Sequence, residues 1–322
     1  MSKERVKGLL ATMELPVINA PMFLVSGPEL VIESCRQGIM GSFPLLNART
    51  SVELENWLIE IKEHLKVIEE ENGQVAPWAV NLIVHKTNKR FENDLALIAK
   101  YQPPIVITSL GKPNSVVQVV HEYGGLVFSD VATLTHARKA AETGVDGLIL
   151  VTNGAGGHGG LLNPMAFIAS VKEFWKGITI LAGSITNGND ILAAQVLGAD
   201  FSYMGTRFIS ANESMANESY QKTLLDSTAE DLVYTDAFSG VPANYLSKSV
   251  LKAGYDIQAL QRKEKIDVGQ SDAKAWKDIF SAGQGVGTIH KIQSVEEIVA
   301  ELKQEYTNAL EQLNQKSLLP RK

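Results

Sequence analysis

The sequence predicts a (β/α)8 barrel carrying a mainly helical insertion after its eighth strand. Three observations lead there. Short apolar runs alternate with amphipathic stretches from residue 16 to 208, the pattern of parallel strands joined by helices. There are eight such runs, the number that closes a barrel. Several helical patterns stop at a glycine, at Gly38, Gly124, Gly144 and Gly198, where a left-handed residue ends a helix with least strain. A doubly wound open sheet is the alternative, because one strand more or fewer would remove the argument from eight.

The predicted strands cover 16–20, 39–43, 79–84, 105–108, 126–129, 147–151, 179–181 and 201–204. Each is a short apolar run, as expected of strands buried on both faces. Helical patterns lie between them at 51–70, 90–101, 114–123, 133–143 and 190–197. PELVIESCRQG before Gly38 reads as a helix, and so does AFIASVKEFW, with Asn163 as its N-cap and Pro164 in its first position. Residues 212–290 break the rhythm with polar clusters (ANESMANESYQ, QRKEKIDVGQSDAK) and read as helical and irregular. The tail 294–315 places Val295, Ile298, Leu302, Ala309 and Leu313 on roughly one helix face. The chain therefore divides into barrel strands and helices at 1–211, an insertion at 212–290 and a C-terminal helix region at 291–322 that packs on the barrel.

Bulk composition narrows the function classes. With 322 residues, 45% hydrophobic and 20% charged, the chain reads as an ordinary soluble globular protein. A net charge of −6 without a long basic run argues against nucleic acid and anionic membrane as partners. No apolar run reaches the ~20 residues of a bilayer span, and the first twenty residues lack the h-region of a signal peptide. The lone cysteine, Cys35, excludes internal disulfides and suits a cytoplasmic protein. It reads as a buried, inert thiol.

The most informative stretch is TNGAGGHGGLL, residues 152–162, directly after the sixth predicted strand. Gly154-Ala155-Gly156-Gly157-His158-Gly159 satisfies G-x-G-x-x-G literally. A dinucleotide-binding reading fails on context. It requires a helix opening from the loop and an acidic residue ending the next strand. Here the next helix begins after Asn163, and the nearest suitable carboxylate, Glu173, lies inside that helix pattern.

In a (β/α)8 barrel the chemistry sits at the C-terminal strand ends. Those positions hold Ala20, Pro21 and Met22, then Asn81, Thr108-Ser109, Ser129-Asp130, the His158 loop, Gly183-Ser184 and Gly205-Thr206-Arg207. The loops after strands seven and eight often bind a phosphate. Gly183-Ser184 and Gly205-Thr206 each supply a glycine for close approach and a hydroxyl, so they are the predicted phosphate site. Arg207 either adds charge there or ties the barrel end together. His158, with an imidazole that titrates near neutrality, is the candidate for proton transfer. Asp130 either binds a ligand hydroxyl or, the slightly favoured reading, caps the helix starting near Thr133. His64, His85, His121, His136 and His290 read as structural or surface residues. No second ligand stands at metal spacing around His158, so no metal is expected.

Taken together, Ala20-Pro21-Met22, Ala155-Gly-Gly-His158, Leu181-Ala-Gly-Ser184 and Met204-Gly-Thr-Arg-Phe208 resemble the nitronate monooxygenases, formerly 2-nitropropane dioxygenases. The resemblance runs from about residue 14 to Ala282-Gly-Gln-Gly-Val-Gly287. The same motifs occur in the flavin-dependent enoyl-acyl-carrier-protein reductases. The resemblance implies a TIM barrel with non-covalent FMN. Ala20, Pro21 and Met22 would line the isoalloxazine, and Asn81 would reach its polar edge. Ala155, Gly156 and Gly157 would lie against the flavin. Gly183, Ser184, Gly205 and Thr206 would hold the phosphate, with His158 as the catalytic histidine.

The implied activity is oxidation of alkyl nitronates or nitroalkanes with O2, giving a carbonyl product and nitrite. NAD(P)H-dependent reduction of an activated C=C bond is the alternative. A flavin-binding protein without dedicated turnover and a flavin-free barrel lyase or isomerase stand further off. Three departures bear on substrate: Thr152-Asn153-Gly154 where many relatives have a glutamate, Ala-Gly-Ser-Ile where several have Ala-Gly-Gly-Ile, and Asp130 near a flavin-contacting lysine of some relatives. Leu161, Leu162 and the segment 238–242 are expected to shape the pocket, and the insertion to form either a lid or a homodimer surface.

Overall fold

The computed structural model describes residues 2–262 and 278–315. Eight parallel strands run in the order Val17–Asn19, Phe201–Met204, Ile178–Ala182, Gly147–Val151, Leu126–Val131, Ile105–Ser109, Trp78–Ile83 and Gly41–Pro44. A parallel bridge between Ile18 and Met40 joins the two ends of that order, with the Asn19 amide on the Met40 carbonyl at 2.8 Å. The sheet therefore closes into a (β/α)8 barrel, and every predicted strand is present within a residue or two of its expected position.

Strand alternation sorts the apolar residues into two layers. Inward positions such as Ile18, Met40, Ala79, Ile107, Phe128, Ile149, Ile180 and Phe201 fill the barrel bore. Outward positions such as Val17, Val80, Val106, Val127, Leu148 and Leu150 pack under the surrounding helices. The helix Ser2–Leu10, which the sequence reading did not anticipate, lays Val6, Leu9 and Leu10 against the bore filling.

Local signals explain the helices. Thr50, Thr133, Asn163 and Asn187 each accept a hydrogen bond from an amide of the first turn they cap. Gly198 ends the helix Gly188–Leu197 with φ 102. The C-terminal helix Val295–Gln315 packs on Gly188–Leu197 and on Pro28–Arg36. That contact explains Gly188: an added Cβ would fall 2.1 Å from the Tyr306 backbone nitrogen. Cys35 is buried, and burial pushes its thiol pKa up to about 12, which leaves it inert.

Residues after the eighth strand differ from expectation. Beside the helix Glu218–Leu225 they form two antiparallel strands, Leu232–Thr235 and Ala243–Leu246. The second strand pairs with Gly157–His158 of the glycine loop. Each strand has only four residues, too few to announce itself among polar neighbours. Leu224, Leu246, Phe280 and Val286 share one apolar cluster with Val25 and Ile209 of the barrel. Most of QRKEKIDVGQSDAK, from residue 263 on, lies outside the described residues.

Candidate active site

At the C-terminal end of the barrel the bore filling gives way to polar side chains. The next inward positions after Ala79, Ile107, Phe128 and Phe201 are Asn81, Ser109, Asp130 and Tyr203. They form part of the floor of a cavity of about 890 Å³, within the range of small-molecule and cofactor sites. Asn81 Nδ2 donates to Ser109 Oγ at 2.7 Å, and Ser109 Oγ donates to Asp130 Oδ2 at 2.6 Å. Burial outweighs that last bond and raises the Asp130 pKa to about 6. Asp130 does not cap the following helix, because Thr133 does so itself.

The loop after the first strand runs along one wall. Ala20 donates its amide to the Met204 carbonyl at 2.9 Å, and the Met22 amide donates to Ser26 Oγ at 2.9 Å. Buried Asn47 fixes this turn from a distance. Its Nδ2 donates to the Met22 and Ser26 carbonyls, and its Oδ1 accepts from the Leu24 amide. Nothing local in the sequence marks Asn47 for that task.

The glycine loop after the sixth strand is held by backbone contacts. The Gly154 carbonyl accepts from the amides of Ser184 and Gln284 at 3.2 and 3.0 Å. An added Cβ on Gly154 would lie 1.9 Å from Ser184 Oγ, and one on Gly156 would lie 2.7 Å from the Gly283 nitrogen. These glycines permit loop-on-loop packing, and no helix opens from them. A strand does: His158 pairs with Ala243, while the Gly159 amide bonds the Pro242 carbonyl at 3.1 Å. His158 is half-buried, and desolvation lowers its pKa to about 4, so the ring is neutral at pH 7.

Against this loop, Gly183 and Ser184 adopt positive φ of 122 and 56. A Cβ on Gly183 would approach Thr152 Oγ1 to 2.2 Å, so the turn depends on glycine. Thr206 Oγ1 accepts from the Gly283 amide at 2.8 Å, which brings Gly283 and Gly285 beside the Gly205 turn. The glycine-rich spacing of 282–287 was the available signal for this third wall. Arg207 points away from the cavity. Its guanidinium donates to Gln293 Oε1 at 2.8 Å, Glu301 Oε2 at 3.0 Å and Ser210 Oγ at 3.3 Å, which is the structural alternative.

Ala20, Pro21, Met22, Asn81, Ala155, Gly156, Gly157, His158, Gly183, Ser184, Gly205 and Thr206 all line this one cavity. Several residues join them unanticipated. Tyr203 and Tyr220 line it, as do His85, His136, Lys112 and Lys139. His121 is structural, as expected, pairing with Asp146 at 2.8 Å. Leu161 is 74% exposed and Leu162 packs against the outer core, whereas Ser239 and Val241 of the hairpin loop do reach the cavity. Among the described residues no group of acids, histidines and cysteines could hold a metal ion, and no helix is long and apolar enough to cross a membrane.

Comparison with known proteins adds to this geometry. The profile of the nitronate monooxygenase family matches residues 4–305. A curated nitronate monooxygenase from Paraburkholderia phytofirmans is 26% identical, over 95% of this chain and 96% of its own. Among solved structures, FabK from Thermotoga maritima superposes with a TM-score of 0.78 at 24% identity, covering 97% of this chain and 98% of that one. A nitroalkane oxidase from Streptomyces ansochromogenes does so with a TM-score of 0.78 at 22% identity, covering 95% and 99%. At such identities the two superpositions speak for the barrel fold.

Proposed function

The chain belongs to the nitronate monooxygenase family, a family of oxidoreductases, and on that footing we propose that it uses FMN to oxidise alkyl nitronates with O2 to a carbonyl compound and nitrite. The observation that carries the reading is the convergence of His158 and both Gly-hydroxyl pairs on one cavity. The residues fit the cofactor. Turns at Gly183-Ser184 and Gly205-Thr206, backed by Gly283 and Gly285, offer glycine backbone and hydroxyls to a phosphate. Ala20, Pro21 and Met22 offer an apolar edge for a flat ring, and Asn81 and Asp130 a polar one. Bound FMN supplies the electron acceptor.

The chain's own contribution is position and proton control. His158, neutral at pH 7, takes the α-proton of a nitroalkane on a ring nitrogen, or donates a hydrogen bond to a nitronate oxygen. Pairing with the hairpin strand fixes the backbone of that histidine. Met22, Val241 and Phe280 along the cavity wall keep water from the reacting carbon.

The test is turnover by purified protein carrying FMN. Nitrite and carbonyl formed from a nitronate in air support the reading. Rapid anaerobic bleaching by NADH or NADPH, without nitronate turnover, would move it to reduction of an activated C=C bond. A His158→Ala protein that keeps FMN and still oxidises nitroalkanes at the wild-type rate removes His158 from the role of base.

A further inference from the structure

The cavity floor holds an acid to which the proposed reaction assigns no proton. Asp130 is the only carboxylic acid among the described residues lining the cavity. Alternation along its strand forces it inward, two residues after Phe128 of the bore filling. Its two oxygens differ. Oδ2 accepts a hydrogen bond from the Ser109 hydroxyl, whose oxygen in turn accepts one from the Asn81 side-chain amide. Oδ1 is buried and has no hydrogen-bond partner among the described residues. A buried polar atom left without a partner is costly and calls for a ligand group or a proton.

The surroundings determine which charge state this acid favours. Tyr203, inward on the eighth barrel strand, lines the same floor, and its phenol is raised by burial and by the Asp130 charge. The other titratable side chains lining the cavity are His85, Lys112, His136, Lys139, His158 and Tyr220. Among the described residues no salt bridge holds Asp130 to a lysine. The carboxyl is therefore stabilised as an anion by one hydroxyl alone, and further negative charge in the cavity raises its affinity for a proton.

We propose that Asp130 is a redox-linked proton site, taking up a proton when the cofactor in the cavity is reduced and releasing it on reoxidation. The inference rests on the FMN reading above. Two electrons pass to the flavin from the substrate or from a reduced nicotinamide. Separately, one solvent proton adds to the Asp130 carboxylate to form the neutral acid, and no other bond changes at that residue. When O2 removes the electrons, the acid gives the proton back. The coupling is reciprocal, so reduction becomes easier as pH falls while Asp130 can still be protonated.

The test is an anaerobic reductive titration of FMN-loaded protein from about pH 5 to 9, with protons counted by an indicator dye. Wild type is compared with Asp130→Asn and Ser109→Ala. Above pH 6, wild type takes up more protons per flavin reduced than Asp130→Asn, by up to about one. Ser109→Ala loses the hydrogen bond that lowers the acid's pKa, so its extra uptake begins at higher pH. Equal proton counts and pH dependence in wild type and Asp130→Asn overturn the proposal. Should Asp130→Asn fail to fold, an unshifted Ser109→Ala curve overturns it alone. Wild type that binds no FMN overturns this proposal and the cofactor reading together, whereas bound FMN with unchanged proton counts sinks only this one.

Discussion

Asn244 reaches from the hairpin strand to the glycine loop, where its Nδ2 donates to the Ala155 carbonyl at 2.7 Å. The same nitrogen lies 3.2 Å from the Asn153 carbonyl. One buried amide thus holds the loop just ahead of His158. Asn244→Ala leaves two carbonyls short of a donor, at a cost of about 1–3 kcal/mol. We expect a lower melting temperature, a kcat reduced roughly tenfold to hundredfold through misplacement of His158, and retained flavin absorbance. Steady-state kinetics with thermal melts check this, and an unchanged kcat would detach the hairpin from the reaction.

Gly183 tests the phosphate turn. Its φ of 122 and the 2.2 Å approach of an added Cβ to Thr152 Oγ1 make Gly183→Ala strained in either respect. Strain of about 1–3 kcal/mol at such a site predicts FMN binding weakened roughly tenfold to hundredfold. Fluorescence titration of apoprotein with FMN measures it. Affinity equal to wild type would place the phosphate elsewhere.

His158 gives a pH prediction with a definite sign. Its pKa falls from 6.5 to about 4 on burial, so a role as base survives acidification well below neutrality. The His158 contribution to kcat/KM for a neutral nitroalkane stays flat as pH falls from about 8 to 5, then declines about tenfold per unit below the folded pKa. An imidazolium role would show the reverse, activity lost as pH rises past 4. Stability carries the same sign, because the unfolded chain binds this proton first. The neutral ring's contribution is complete above 6.5 and is lost as pH falls from there to 4.

Arg207 separates structure from binding. Its guanidinium joins the eighth barrel strand's exit to Gln293 and to Glu301 of the C-terminal helix. Arg207→Met should cost about 1–3 kcal/mol by leaving buried Gln293 Oε1 without its donor, Glu301 keeping solvent and Lys291, while folded protein keeps its FMN affinity. Arg207→Lys recovers only part, lacking the fork that spans two acceptors. Urea unfolding and FMN titration of both variants decide the point.

What the sequence made readable follows from how far apart its signals lie. Barrel strands such as 147–151 are apolar on both faces and bounded by turns, so a single window identifies them. Gly183-Ser184 was readable because barrel topology names the place where such a turn matters. Asn47 and Asn244 were not. Each is a buried asparagine whose partners are distant in the chain, and no local pattern separates it from an exposed one. The hairpin was hidden for a related reason, since its third strand is the two residues Gly157–His158, far upstream. Asp130 misled because Thr133 stands close behind it and performs the capping for which the acid was the obvious candidate.

The helix Ser2–Leu10, seated on the bore filling with Val6, Leu9 and Leu10, makes the barrel a vessel stoppered at its base. With that end filled, molecules that visit the floor beside Asp130 must come and go at the C-terminal ends of the strands, where His85, Lys112 and His136 also line the cavity.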